Sequence, residues 1–435
     1  MSPLAVGFGA IVLMMLLALF GVPVGVAVAL VAGLGMIATT GVPYSLVTFQ
    51  SVPYAALTDY AFIVVPMFIL MGNIAWRSGI IEEMFNVAAM WMARARGALF
   101  YAVTLASAGF SAVSGSTVAN AAVFTRIVLP EMLRLGYDRK LTTGCVAAAG
   151  TFAVLIPPSL AFVLYAIMTG ESVGRLFMAG VFPGLLTAAA YMAALRLLIW
   201  HRPELAPEPI ARVPLGKRVK ALQGLWGILA LVAVVLGGIY TGIVPPSAAG
   251  AVGAVGALLI ALLRRRMSWA ALWDCVARSA VTTASLFFIV ISGFLFSRFL
   301  ISAGFVPQLT ALVSDAEIGK WEFLAIMVAV YIVLGMFIDG ASMAVVTLPF
   351  VYPIAQSLGI DGIWFGVIFV KLVEIGAITP PIGINLFAVI SASDGTVQMS
   401  DVIRGIWPFI VVEACVFAVI LAVPALSTWL PGTMF

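Results

Sequence analysis

Charged side chains are scarce in this chain: Asp, Glu, Lys and Arg make up 9% of its residues, whereas 63% are hydrophobic. A soluble domain carries about 25% charged residues, so this chain has too few to cover a surface that faces water. The composition excludes an ordinary soluble protein and indicates a multi-pass membrane protein. The net charge of +4 is small and does not indicate a nucleic-acid partner.

Cysteine and histidine are also rare. The three cysteines, Cys145, Cys275 and Cys415, lie far apart in apolar runs, and the one histidine, His201, lies in a polar segment. This spacing indicates neither a disulfide framework nor a metal site. The sequence has no phosphate-binding GxxxxGK[ST] motif, which argues against ATP-driven pumping. We find no catalytic triad and no signature of an organic cofactor, and we predict that the protein is not an enzyme.

An internal repeat is the main feature that is present. The stretch IPPSLAFVLYAI (156–167) returns as TPPIGINLFAVI (379–390), an offset of 223 residues that also relates the turns LGYD (135–138) and LGID (358–361). An offset of 225 relates Gly79 to Gly304. Two repeats with hydrophobic segments interrupted at the same place are the best sequence indication of a transporter's binding site.

The apolar runs predict ten membrane spans, since a spanning helix needs about 20 apolar residues. These are 4–20, 22–39, 59–78, 141–169 and 174–200 in the first half, and 225–241, 243–263, 282–304, 363–391 and 405–430 in the second. The moderately polar stretches 45–57 and 267–280 predict interfacial helices. The segment 82–96 is either a further interfacial helix or an eleventh span.

Each half also contains two apolar runs that are too short to span separately. They predict re-entrant hairpins at 98–129 (98–113 with 117–129) and 322–352 (322–337 with 340–352). Non-helical backbone survives at membrane depth only where protein or a watery cavity satisfies its polar groups. We therefore expect an all-α polytopic membrane protein built from two repeats with hairpins and broken helices.

Basic residues give the orientation. With the N-terminus outside, most Arg and Lys residues fall in cytoplasmic loops, as the positive-inside rule requires. Five spans in each half is an odd number, so the second repeat is inverted relative to the first. This predicts that both termini lie outside the cytoplasm.

The hairpin tips hold the candidate ion-binding residues. Ser116 and Asp339 are related by the offset of 223 and stand at equivalent positions in the two tips. Hard cations prefer oxygen ligands, and Ser114, Ser116, Asp339 and Thr379 with nearby carbonyls form a plausible Na⁺ set. Both Ser116 and Asp339 are also good N-cap residues, and a cap alone would explain either one.

Further polar residues lie in apolar segments, and each of them has two possible roles. Lys371 and Glu374, three residues apart on a helix, either neutralise one another or contact substrate. Asn120 and Asn385 either face a cavity or form helix-packing hydrogen bonds.

Six stretches together resemble one family: SAVSGSTVANAA (111–122), LPEMLRLGYD (129–138), LIPPSLAFVLYA (155–166), GMFIDGASM (335–343), LGIDGIWFG (358–366) and EIGAITPPIGINLFAV (374–389). The chain resembles the large membrane subunit of tripartite ATP-independent periplasmic (TRAP) transporters, of the DctM/SiaM type. The resemblance implies a Na⁺-coupled importer of organic acids that works by an elevator mechanism. It also implies two partners, a small four-helix membrane subunit and a periplasmic substrate-binding protein.

The resemblance also implies the positions of the sites and of the moving parts. The Na⁺ sites fall at Ser114, Gly115, Ser116, Asp339, Gly340, Gly376, Thr379 and Pro380. The expected substrate contacts are Ser116, Thr117, Asn120, Pro157, Pro158, Ser159, Ser342 and Asn385. The expected division is scaffold at 1–58 and 225–281, transport domain at 59–200 and 282–435, and a cytoplasmic linker at 201–224.

Several alternatives stay open at this stage. One is a stand-alone Na⁺/dicarboxylate or ion carrier of related architecture, which would work without a binding protein. A second alternative is an intramembrane enzyme, which would need a catalytic dyad or metal site. A third is a purely structural subunit, and the paired broken helices argue against it. Dicarboxylates, sialic acids and keto or sugar acids all fit a generic carboxylate site. The sequence determines neither the Na⁺ stoichiometry nor the oligomeric state.

Overall fold

A computed structural model describes residues 2–209 and 213–434, and within these residues the chain forms helices joined by short turns, with no strand. The helices of the first half are α1 (Pro3–Leu19), α2 (Val24–Thr40), α3 (Val42–Thr58), α4 (Val64–Arg77), α5 (Ile80–Met92), α6 (Ala98–Ser114), α7 (Thr117–Arg134), α8 (Arg139–Leu155), α9 (Leu160–Thr169) and α10 (Val173–His201). Those of the second half are α11 (Leu215–Tyr240), α12 (Pro246–Leu263), α13 (Trp269–Ser302), α14 (Phe305–Asp315), α15 (Lys320–Gly335), α16 (Gly340–Ser357), α17 (Gly362–Ile378), α18 (Ile384–Ala392), α19 (Met399–Ala422) and α20 (Ala425–Gly432).

The order of elements confirms the repeat. Helices α5 to α10 correspond one by one to α14 to α19, and α2 corresponds to α12. Both predicted hairpins are present, as α6 with α7 and as α15 with α16. Both helices that follow the tips run about five residues further than predicted, through Pro130 and Pro353.

One predicted element is wrong. The stretch 267–280 is not a separate interfacial helix but the start of α13, a continuous helix of 34 residues. Its counterpart in the first repeat is divided, because α3 ends at Thr58, Asp59 adopts an extended conformation, and a 3₁₀ turn (Tyr60–Ile63) precedes α4. The predicted domain boundary after residue 281 lies inside α13.

The ten predicted spans lie on helices, although few of these helices are long and the span 405–430 is divided at Val423 between α19 and α20. Among the described residues, five helices have the length and apolarity to cross a bilayer, or seven when the bent pairs α4–α5 and α8–α9 count as single spans. Helices α1 and α2 have 17 residues each, about 26 Å at 1.5 Å per residue, close to the ~30 Å hydrocarbon thickness. Helix α5 has 13 residues and is too short to span the bilayer alone. It bends from α4 by 61°.

Part of the predicted linker is helical. Helix α11 begins at Leu215, ahead of the predicted span at 225, and contains a π-helical turn at Ala233–Gly237. Residues 210–212 of the predicted linker lie outside the described residues. Leu205 and Ala206 accept hydrogen bonds from the Asp138 N–H (3.0 Å) and the Arg96 Nε (3.1 Å). These bonds hold the start of the linker against the base of the first hairpin.

Packing between the halves follows the repeat. Helix α2 packs on α13 and helix α12 packs on α4, and these two contacts are equivalent. Each hairpin packs against the broken helix of the other repeat, α7 against α18 and α16 against α9. The hairpins and broken helices therefore form one interlocked body at the centre of the molecule.

Candidate functional site

The first hairpin turns within two residues. Helix α6 ends at Ser114, Gly115 takes a left-handed conformation (φ +60°), and Ser116 adopts an extended one. The Ser116 hydroxyl accepts a hydrogen bond from the Ala119 N–H at 3.4 Å, so the residue caps α7. The left-handed position requires glycine, since a side chain there is strained.

The second hairpin tip uses a carboxylate in the same role. Asp339 accepts hydrogen bonds from the N–H groups of Ala341 (2.9 Å) and Ser342 (3.1 Å) and from the Ser342 hydroxyl. The cap interpretation is thus confirmed for both tip residues. A carboxylate that accepts these bonds keeps lone pairs free for a cation.

Each tip lies beside a broken helix. The Pro157–Pro158 and Pro380–Pro381 peptide bonds are both cis and separate α8 from α9 and α17 from α18. A Cβ atom added to Gly115 would lie 3.4 Å from the Pro158 carbonyl oxygen. One added to Gly335 would lie 2.7 Å from the Gly376 Cα atom. Glycine therefore permits the close backbone approach beside the second tip, where α15 crosses α17.

The two tips line one cavity of 990 Å³, called the main cavity here. Its wall includes residues 114–119 of the first hairpin and 338–341 of the second, together with Val154, Leu160, Ala161, Leu164, Val373, Ala377 and Ile384 from the broken helices. The remaining wall comes from α4, α5, α6, α7 and the first half of α13.

Two arginines on this wall were missed from the sequence. Arg126 lies on α7 on the same helical face as Ala119 and Ala122, and Arg278 lies on α13 beside Asp274 (2.9 Å). Arg126 follows Ala119 of the tip by seven residues, and this helical spacing is the signal that would have revealed it. No equivalent signal exists for Arg278, because only tertiary packing brings α13 to the hairpins.

The predicted Na⁺ residues fall into two groups. Ser114, Gly115, Ser116, Asp339 and Gly340 line the main cavity, whereas Gly376, Thr379 and Pro380 lie behind its wall at the second break. The Ser114 hydroxyl is buried and lacks a hydrogen-bond partner. An unpaired buried hydroxyl is costly, and coordination of a cation would satisfy it. The donors around both tips are oxygens, which suits a hard cation such as Na⁺.

Only part of the predicted substrate set lies on the cavity wall, namely Ser116 and Thr117. The Asn120 amide nitrogen lies 3.5 Å from the Gly150 carbonyl, and that of Asn385 lies 3.3 Å from the Ala147 carbonyl. Both asparagines are buried and pack on α8, as the helix-packing interpretation predicts. The others, Pro157, Pro158, Ser159 and Ser342, are buried behind the wall.

A charged cluster is buried away from the main cavity. The Lys371 Nζ atom lies 2.9 Å from the Glu374 carboxylate and also contacts Glu413, and all three side chains are fully buried. The predicted neutralisation of Lys371 by Glu374 is therefore confirmed. Glu413 was missed, because nothing in the sequence brings α19 next to α17.

Hydroxyl groups complete this cluster. Thr151 donates to Glu374 at 2.9 Å, Thr187 lies 3.0 Å from the Lys371 Nζ atom, and Tyr191 donates to Glu413. Thr151 and Glu374 are related by the repeat offset of 223. Equivalent positions touch only near the pseudo-two-fold axis, so the cluster lies on that axis.

Comparison with known proteins identifies the family. Residues 11–426 match the model "Tripartite ATP-independent periplasmic transporter, DctM component". The chain belongs to the DctM family of TRAP transporters. It is similar to the C4-dicarboxylate TRAP transporter large permease protein of Pseudomonas aeruginosa, with 34% identity over 86% of each chain. It is also similar to the 2,3-diketo-L-gulonate large permease protein of Escherichia coli, with 32% identity over 85% of this chain and 86% of that protein.

The fold also has a solved counterpart. The YdaH transporter of Alcanivorax borkumensis superposes with a TM-score of 0.57 at 14% identity and covers 89% of each chain. Likeness at this identity concerns the fold alone. The DctM protein is thus a multi-pass membrane protein and the large permease subunit of a TRAP transporter, and its relatives are permeases rather than enzymes.

Proposed function

We propose that this DctM protein is the permease of a Na⁺-coupled, binding-protein-dependent importer of organic acids. The observation that carries the proposal is the convergence of two hairpin tips and two broken helices on one cavity. Helix ends expose unpaired carbonyl and N–H groups, so one cavity offers ligands for both a cation and a carboxylate.

Na⁺ would bind where oxygens converge. Around the first tip these are the Ser114 hydroxyl, which has no other partner, and the carbonyls near Gly115. Around the second they are the Asp339 carboxylate, Thr379 and the backbone at Gly376. Ligation by two tips would hold both hairpins in place and complete the cavity only when the ion is bound.

An organic acid would bind beside the N-terminal ends of α7 and α16. Both helices start at the cavity, and the N–H groups of their first turns that Ser116 and Asp339 do not cap favour an anion. Arg126 adds positive charge to the same wall, whereas Arg278 on that wall is paired with Asp274. The named substrates of the two relatives, a C4-dicarboxylate and 2,3-diketo-L-gulonate, are both carboxylates, which supports this class.

Packing suggests which parts move. We place α4 and α13 in the scaffold, since they pack on α12 and α2 and a continuous helix moves as one body. Hairpins, broken helices and α10 with α19 form the transport domain, which would slide against the scaffold with its bound ligands. The expected sequence boundaries thus move to the ends of α4 and α13.

Charge placement gives the direction of opening. The main cavity lies beside the first half of α13, which follows the run Arg264–Arg266. Basic loops stay in the cytoplasm, so this conformation would be open to the cytoplasm, with both termini in the periplasm of an inner-membrane protein. A small membrane subunit and a periplasmic binding protein would complete the tripartite assembly.

Uptake in proteoliposomes tests the function. The chain is reconstituted with its small subunit, and a panel of radiolabelled organic acids is supplied with and without a Na⁺ gradient and the binding protein. We expect uptake that requires both. Uptake without the binding protein would instead identify a stand-alone carrier, and uptake indifferent to Na⁺ would contradict the coupling.

A further inference from the structure

A basic pocket lies at the start of α13, outside the main cavity. It has a volume of 470 Å³, and three of its lining residues are arginines: Arg77 at the end of α4, and Arg265 and Arg266 in the loop between α12 and α13. Met267 and the first turn of α13 complete its wall. We call it the arginine pocket.

The three arginines of this pocket lack partners. Among the described residues, none of their side chains forms a hydrogen bond or an ion pair. The neighbouring carboxylates are used elsewhere, since Glu83 pairs with Arg264 at 2.8 Å and Asp274 pairs with Arg278 at 2.9 Å. Glu82 lines the main cavity. The arginine pocket therefore concentrates three positive charges that no described carboxylate neutralises, and its complement is an anion.

Packing holds one guanidinium at the break between α4 and α5. A Cβ atom added to Gly79 would lie 2.7 Å from the Arg266 Cζ atom and would collide with a guanidinium nitrogen. Glycine at this position therefore leaves the room that the Arg266 side chain occupies. The guanidinium lies beside the end of α4, near Arg77, although like charges repel. A bound anion would remove this repulsion.

Arg265 has an unfavourable backbone conformation. The Arg266 N–H donates to the Ala261 carbonyl (3.0 Å) across the end of α12, and Arg265 is left-handed (φ +54°). Helices that end in this way usually have glycine in the left-handed position. The equivalent helix α2 also ends in a residue with positive φ, Gly41 (+86°). The turn itself therefore favours glycine, so the side chain rather than the turn accounts for the arginine.

The first repeat has no such charges. With the offset of 225, the three arginines correspond to three uncharged residues, Ser302, Thr40 and Gly41. The fold thus forms the equivalent junction without arginine. The proposed orientation places the arginine pocket on the cytoplasmic side, where the positive-inside rule accounts for basic loops. That rule does not account for the convergence of a loop and the end of α4 on one pocket.

Exposed tryptophans indicate the depth of the arginine pocket. Trp269 and Trp273 lie one turn apart at the start of α13 and are 79% and 66% exposed. Tryptophan is enriched at the level of the lipid headgroups. On α12, Val255, Leu259 and Leu262 form one exposed apolar face that ends at the arginine loop. A headgroup in the pocket would therefore have an apolar surface beside it for its acyl chains.

We propose that the arginine pocket binds the phosphate group of an anionic phospholipid from the cytoplasmic leaflet. Guanidinium groups bind phosphate through paired hydrogen bonds, and basic pockets between membrane helices fit anionic headgroups. The Ser268 hydroxyl caps α13 by accepting from the Ala271 N–H at 3.2 Å. The other N–H groups of that first turn favour an anion.

Such a lipid would join the end of α4 to the start of α13. Both helices continue into the wall of the main cavity, so the headgroup would fix their relative position at its edge. Lipid binding at this site does not depend on the transported substrate or on Na⁺. A binding measurement therefore tests it separately from the proposed function.

Native mass spectrometry of the full chain, purified with its small membrane subunit, measures the binding. The complex is delipidated in dodecyl maltoside, and dioleoylphosphatidylglycerol or dioleoylphosphatidylcholine is added. In the variant Arg77→Gln/Arg265→Gln/Arg266→Gln we expect the dissociation constant of the tightest phosphatidylglycerol to rise about tenfold or more. Phosphatidylcholine should bind weakly to the parent and to the variant alike.

The matched control removes three exposed basic residues of other loops, as Arg139→Gln/Lys217→Gln/Lys220→Gln. It should bind phosphatidylglycerol as the parent does. An equal dissociation constant in the pocket variant and the control would overturn the proposal. Inorganic phosphate and glycerophosphoglycerol, added as soluble competitors, should not displace the lipid. Displacement at concentrations equal to that of the lipid would identify a soluble phosphate ligand instead and overturn the lipid assignment.

The variant Arg265→Gly separates binding from folding. Because glycine tolerates the left-handed conformation, the lipid-free variant should unfold at the temperature of the parent or above it. Its dissociation constant for phosphatidylglycerol should nevertheless rise about threefold or more. A lower unfolding temperature with unchanged lipid binding would show that the arginine serves the turn, and would contradict its role in the pocket.

Discussion

Removal of the Lys371 charge should destabilise the protein strongly. Lys371 with Glu374 and Glu413 carries a formal net charge of −1, and all three side chains are 0% exposed. The variant Lys371→Met keeps the approximate volume of the side chain but leaves two buried carboxylates without a cation. Loss of one partner from a buried ion pair costs about 3–5 kcal/mol, and we expect a loss of this size in the free energy of unfolding.

Compensation should be visible within the same cluster. The double variant Lys371→Met/Glu374→Gln leaves a single carboxylate, that of Glu413, which still accepts the Tyr191 hydrogen bond. We expect it to recover part of the lost stability, although it carries one more substitution. The exposed Lys217 provides the matched control, since Lys217→Met removes the same charge from a solvated site and should change stability by less than about 0.5 kcal/mol.

Equilibrium unfolding in mixed micelles, with increasing SDS in dodecyl maltoside, measures these differences. If Lys371→Met unfolds at the same SDS fraction as the parent, the Lys371 charge does not stabilise the two buried carboxylates. If the added Glu374→Gln substitution lowers stability further, the loss in Lys371→Met does not come from the unpaired negative charge of the Glu374 carboxylate.

Three further predictions concern the cavity. Asp339→Asn should keep the cap and lose Na⁺-stimulated uptake, whereas Asp339→Ala should lose both, with about 1 kcal/mol of stability; normal Na⁺ stimulation in the Asn variant would contradict the ion site. Gly335→Ala should lower the free energy of unfolding by about 1–3 kcal/mol, since its Cβ atom would meet backbone 2.7 Å away. The control in the same unfolding assay is Gly9→Ala, because open space surrounds Gly9. Arg126→Gln should raise the KM of uptake several-fold, whereas the exposed Arg134→Gln should not; equal KM values would remove Arg126 from the binding wall.

Features with a local cause could be predicted from the sequence. The tips, the breaks at the proline pairs and the two repeats follow from glycine, proline and cap residues within a few positions, and Ser116 and Asp339 are N-caps, as their residue types predicted. The repeat offset even indicated that the two tips are equivalent. Local chemistry therefore located the elements around the site, whereas their mutual arrangement required the structure.

Features that depend on tertiary contacts could not be predicted. Glu413 lies on α19 in an apolar run, and its partner Lys371 is 42 residues away in sequence on another helix. Helix α13 continues through residues 281–288 without a break. The moderately polar composition of 267–280 had instead indicated a separate helix. Composition reports the environment of a segment, but it does not report whether the helix continues.

The pseudo-two-fold axis distinguishes what should stay fixed from what should change during transport. Phe62 and Phe287 are repeat counterparts whose rings meet at 5.4 Å in the scaffold, as Thr151 and Glu374 meet in the transport domain. If the two repeats exchange conformations, a contact between two counterpart residues is made by the same two residues before and after the exchange. If the transport domain slides as proposed, the buried charges need not separate, whereas Val345, whose counterpart Ala122 faces the main cavity, must leave Gly293. The proposed movement would thus keep the contacts of Lys371, Glu374 and Glu413 intact, so it would not expose an unpaired ion to the low-dielectric interior.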